Sequence, residues 1–120
     1  MLAMNRLVCV VVVIGFVSAC SGGSDGSGVS RSKRVVELTA GEESDLCDFI
    51  VDVQDGPRTV MCGPDFSVSF NGKADCLMDN NTFSASCAAT VAEAEDCAEQ
   101  TGADPCGEIP SVCAVFFTCT

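Results

Sequence analysis

Eight cysteines crowd the last 86 residues of this 120-residue chain: Cys47, Cys62, Cys76, Cys87, Cys97, Cys106, Cys113 and Cys119. No two of them stand as close as the two to four intervening residues that zinc sites use, and the chain has no histidine. The same spacing lacks C-x-x-C, which removes a thioredoxin-type redox site. Four disulfides are the reading left. A domain this short buries only about 60% of its unfolded surface, and cross-links worth ~2–4 kcal/mol each offset that shortfall by restricting the unfolded chain. Eight cysteines allow 105 pairings, and their spacing selects none of them.

The segments between the cysteines predict a mostly α domain with a short β-hairpin, an α+β fold. Thr39 followed by Glu42 makes a capping box for a first helix. Leu46, Cys47, Ile50 and Val51 then share one face, while Asp45, Asp48, Asp52 and Asp55 follow the other. That acidic row reads as a solvated face; calcium wants six to eight oxygens, usually from a loop. Asp55-Gly56-Pro57 stops the helix. Thr59–Cys62 and Phe66–Phe70 read as strands around a Gly63-Pro64-Asp65 turn, with Phe66, Val68 and Phe70 on one side. Asn71-Gly72 could turn a second hairpin, but Ala74, Cys76, Leu77 and Met78 do not alternate and fit a short helix. Asp79-Asn80-Asn81 reads as a loop. A second capping box, Thr90 with Glu93, opens a helix that turns Ala94, Cys97 and Ala98 inward and stops at Gly102. Ser111 is positioned to cap a last short helix carrying Val112, Cys113, Val115, Phe116 and Cys119.

Ahead of the domain, Arg6 precedes an apolar run from Leu7 to Phe16, then Val17-Ser18-Ala19-Cys20. The run suits the ~7–15 residues of a signal-peptide core and falls short of the ~20 that span a bilayer. Val17-Ser18-Ala19-Cys20 resembles the lipobox of bacterial lipoproteins, which are cut just before a cysteine that carries lipid. That resemblance implies removal of residues 1–19 and a lipid on Cys20. An ordinary signal peptidase cutting after Ala19 is the alternative. The cysteine count favours lipid: of ten, Cys9 leaves with the signal and acylated Cys20 drops out, so eight remain, whereas a free Cys20 would make an odd nine.

Residues 20–34 then carry the lipid and a flexible linker rich in glycine and serine, whose Arg31, Lys33 and Arg34 read as solvated. The cysteine-rich domain is expected over 35–120. Without Arg6, five basic side chains face seventeen acidic ones, a balance of −12. Such a surface repels nucleic acid and anionic lipid.

The tail, Cys87-Ala-Ala-Thr-Val-Ala-Glu-Ala-Glu-Asp-Cys97 followed by Asp104-Pro-Cys106, Cys113 and Cys119, with Leu46-Cys47-Asp48 near the start, resembles uncharacterised cysteine-rich lipoproteins of myxobacterial type. That resemblance implies an envelope protein with a mostly helical, disulfide-bonded domain, and no activity.

Catalysis is not expected. Zero histidines remove the commonest general base and every Ser-His or Cys-His pair. A Ser-Lys dyad would need Lys73, the domain's only lysine, beside Ser67 or Ser69. No catalytic residue, metal or other cofactor is assigned. The function expected is a membrane-anchored, non-catalytic binding or structural module. Its partners are the membrane, through Cys20, and an envelope or extracellular protein or glycan; nucleic acid is excluded. The alternative is a small inhibitor or effector displaying Gly63-Pro64-Asp65 or Asp79-Asn80-Asn81. Ser21, standing after the cysteine where aspartate would favour inner-membrane retention, directs the expected location to the outer membrane.

Overall fold

Two threonine–glutamate pairs start the long helices. Thr39 Oγ1 accepts from Glu42 N at 3.2 Å, and the Glu42 carboxylate accepts from Thr39 N at 3.1 Å. Thr90 and Glu93 repeat the exchange at 3.3 and 3.1 Å. In this computed structural model, which describes residues 26–120, the first pair opens α1 (Ala40–Val53) and the second opens α3 (Val91–Ala103). Between them lie β1 (Arg58–Met61), β2 (Ser67–Phe70) and α2 (Lys73–Asn81). A 3-10 turn, Val35–Glu37, precedes α1, and a 3-10 helix, Ser111–Thr118, closes the chain. The molecule is a small disulfide-rich α+β domain, mostly helical with one hairpin.

α1 packs against both α2 and α3, and the last 3-10 helix lies against α3. The core between them holds Val35, Leu46, Val91 and Ala94, with Phe83 and Phe116 at its edge, their ring centroids 6.0 Å apart. Four disulfides join Cys47–Cys76, Cys62–Cys106, Cys87–Cys119 and Cys97–Cys113. No cysteine among the described residues is free.

The hairpin pairs Arg58 with Phe70 and Val60 with Val68, and Cys62 N donates to Phe66 O at 2.8 Å around the Gly63-Pro64-Asp65 turn. Of the three side chains expected on one face, only Phe70 is buried; Phe66 is 60% exposed. The hairpin projects past the core, so the alternation runs on after the core has ended.

Several expectations are corrected. Asp79-Asn80-Asn81 is not a loop but the last turn of α2. The Cys47–Cys76 bond holds α2 against α1, and tertiary packing outweighs the weak helix preference of asparagine and aspartate. Gly102 does not stop α3, which runs to Ala103 with Asp104 as its C-cap. A Cβ on Gly102 would stand 2.5 Å from Val53 O, so the glycine is there to let α3 pass the end of α1. Ser111 is the first residue of the closing 3-10 helix rather than its cap; Pro110 holds that place without a side-chain bond.

The largest correction concerns the expected linker. Its described part, Gly26–Arg34, is folded onto the domain, so the folded unit includes these residues and does not start at residue 35. Val29 is in the core, 8% exposed. Arg31 O accepts from Ala92 N at 3.0 Å and Lys33 O from Val91 N at 2.9 Å. These bonds satisfy two of the four amides that the start of α3 leaves without intrahelical partners. The basic cluster is paired rather than solvated. Arg31 meets Glu95 and Asp96, both at 3.0 Å; Lys33 meets Glu42 at 2.8 Å; Arg34 donates to Cys87 O and Ala85 O. Glycine and serine composition reports what a chain does alone, and here a waiting carboxylate and two waiting amides order it. The signal segment, the lipobox and Cys20 lie outside the described residues.

Candidate functional site

The packing of α1, α2 and α3 leaves a cleft of about 350 Å³. The residues that make it are side chains of modest size on three helices. Leu46 and Ile50, one turn apart on α1, face Ala94 and Ala98, one turn apart on α3. Alanine at both α3 positions leaves room in the cleft that a larger side chain would occupy. The Cys47–Cys76 bridge lies along the wall and fixes α2 beside α1, while Phe83 and Phe116 line one end. Phe70 from β2 lines the other, next to Gln54 and Asn71.

Polar groups sit at the margin, and the charged ones there are acidic. Glu43 lies one turn before Cys47 and Asp79 one turn after Cys76. Every described cation is engaged elsewhere. Arg31, Lys33 and Arg34 hold the N-terminal segment, and Lys73 pairs with Asp48 at 3.0 Å. Arg58 lies over the Phe70 ring at 5.0 Å but donates to Gln54 O and Gly102 O. None of them lines the cleft.

The other expected positions scatter. The hairpin tip around Gly63-Pro64-Asp65 protrudes, flanked by Met61 and Phe66 at 66% and 60% exposure. Asp79 and Asn80 line the cleft rather than displaying a loop. Asp45, Asp48 and Asp52 share the outer face of α1, bordering a shallow depression beside Gly26 and Ser27. Among the described residues no three acids or cysteines converge to hold a metal ion. Lys73 and the strand serines form no dyad: Lys73 Nζ goes to Asp48, and Ser69 Oγ bonds Thr59 Oγ1 at 3.1 Å.

Sequence reasoning missed Glu95. It is fully buried, yet its carboxylate accepts from Ser27 N at 2.8 Å, Ser27 Oγ at 2.7 Å and Arg31 Nη1 at 3.0 Å. A readable signal exists. Val91, Ala94, Glu95 and Ala98 fall at i, i+3, i+4 and i+7, so a carboxylate occupies a core-facing position. Such a group is buried only when paired. Around this latch the Arg31 guanidinium is held above its ordinary pKa, chiefly by its hydrogen bonds to Asp96 and, less, by the charges of Asp96, Glu95 and Glu99. Glu42 is held below the usual carboxylate range, first by the Lys33 ammonium and then by the Thr39 amide. Compared with family models, curated proteins and solved structures, the chain matches none.

Proposed function

We propose that the chain is a cell-envelope lipoprotein, held to the outer membrane by lipid on Cys20, whose stapled domain binds a ligand without transforming it. The cleft carries this reading. Its volume of about 350 Å³ falls in the roughly 300–1,000 Å³ range of pockets that take small molecules, and it has their usual plan of apolar walls with polar groups at the margin. The lipobox supports the location, and the lack of any histidine supports a non-catalytic role.

The test has two arms. Cys20→Ala should move the protein out of the detergent phase. The detergent-free periplasmic form of that variant should bind N-phenylnaphthylamine, a neutral apolar fluorophore, saturably. Val51→Phe, which fills the cleft from α1, should weaken binding about tenfold while leaving the unfolding midpoint within a few degrees. Equal binding by both proteins would remove the cleft from the proposal.

A second reading is an inhibitor or effector presenting the hairpin tip. Met61 and Phe66 favour it, because two exposed apolar side chains flank a turn anchored by Cys62–Cys106. Exposed apolar side chains beside a rigid turn suit a protein surface. An envelope pull-down lost on Phe66→Ser, but kept on Val51→Phe, would select this reading.

A further inference from the structure

We infer that the cleft between α1, α2 and α3 is built for a cationic amphiphile: an apolar tail against Leu46, Ile50, Ala94 and Ala98, with an ammonium-type head between Glu43 and Asp79. This deepens the binding-module reading and rests on it.

The charge argument begins at the Cys47–Cys76 staple. Lys73, before Cys76, reaches Asp48, after Cys47. α1 and α2 thus pass the staple in opposite directions. Glu43, one turn before Cys47, and Asp79, one turn after Cys76, therefore stand at the same end of the cleft, beside Asn80 and Phe83. No described cation pairs with either carboxylate. Two like charges at the mouth of an apolar space, on a domain with a large acidic excess, repel a fatty acid or other anionic amphiphile and attract a cationic one. The effect is greatest where low-dielectric walls limit screening.

The first described residues stand away from the cleft. Gly26 and Ser27 stand beside Asp45, Asp48 and Asp52 on the outer face of α1. The cleft opens on the Leu46 and Cys47 face of that helix.

The experiment titrates the detergent-free Cys20→Ala protein with decyltrimethylammonium, decanol and decanoate, all below their micelle concentrations, following lining-residue amide and methyl shifts by NMR. Decyltrimethylammonium should bind saturably and at least about tenfold tighter than decanoate. In the Glu43→Gln, Asp79→Asn double variant that preference should shrink to within about threefold, with decanol binding unchanged. Decanoate binding as tightly as the cation, or a cation preference that survives the double variant, overturns the inference. If decanol binds but the cation shows no preference, the cleft stands and its charge selectivity falls. If none of the three binds, the inference and the binding-module reading fall together.

Discussion

Glu95 ties the N-terminal segment to α3 through one side chain. Its carboxylate is sealed from water and accepts from an amide, a hydroxyl and a guanidinium, all from a segment more than sixty residues away. Glu95→Ala takes this acceptor from the Ser27 amide, the Ser27 hydroxyl and Arg31 Nη1, while Arg31 Nη2 keeps Asp96; breaking a buried charge pair from one side typically costs about 3–5 kcal/mol. Arg31 is 43% exposed, so solvent rehydrates it and the expected loss is ~2–3 kcal/mol. Urea unfolding measures it, and protection of the Ser27 and Val29 amides from hydrogen exchange should vanish in the same variant. Gly26→Ala should act at the same point, because its Cβ would lie 2.8 Å from Glu95 Oε1.

Glu42 sets a pH dependence. Its carboxyl is held below the ordinary value by Lys33 and Thr39. Its contribution is therefore present above the unfolded-state pKa and lost as pH falls through the lower folded-state value. Stability should decline on acidification below about pH 4.5, and Glu42→Gln, by removing that linkage, should flatten the decline.

At the scale of elements, the two capping boxes were legible because a threonine and a glutamate three residues on are local chemistry. Thr39→Ala and Thr90→Ala should each cost about 1 kcal/mol. Thr90→Ala should also loosen the Arg34–Thr90 bridge, seen as faster exchange of the Val35 amide. Gly102 reads in the sequence as a helix stop when it is a packing glycine inside α3, since nothing local says that Val53 O will lie against it. Gly102→Ala should cost ~1–3 kcal/mol by overpacking, where a helix-interior glycine elsewhere would gain from the same change. The strand alternation at Phe66 and the weak helix formers at Asp79–Asn81 misled for the same reason: periodicity and propensity describe an element, not where the core ends or what packs on it. The cleft was hidden likewise. Leu46, Ile50, Ala94 and Ala98 were each read as inward-facing, but a gap between inward faces belongs to the assembly.

For the whole molecule, the disulfides differ in accessibility. Cys87 and Cys119 are 2% and 0% exposed, while Cys106 lies at the surface. Graded reduction should open Cys62–Cys106 first and Cys87–Cys119 last, and trapping with iodoacetamide followed by peptide mapping reads the order. Cys62–Cys106 has the largest sequence separation of the four, 44 residues, and on chain-entropy grounds restrains the unfolded chain by about 4 kcal/mol against about 3 for the 16-residue Cys97–Cys113. Full reduction of the domain should expose eight thiols and abolish the far-ultraviolet helical signal. The presence of four bridges followed from counting cysteines; their partners did not, because pairing is decided by which helices meet.

The docking of Gly26–Arg34 also bears on geography. Had the whole stretch to residue 34 been loose, a domain moored at Cys20 could have ranged up to about 50 Å from the bilayer. With Ser27 fastened to Glu95, the proposed lipid on Cys20 would stand only six covalent steps from Gly26, a reach of at most about 20 Å. Under the proposed lipidation the domain would hover over the headgroups and sample a thin shell of space, within which its effective concentration toward anything dissolved in or leaving that leaflet would be correspondingly high.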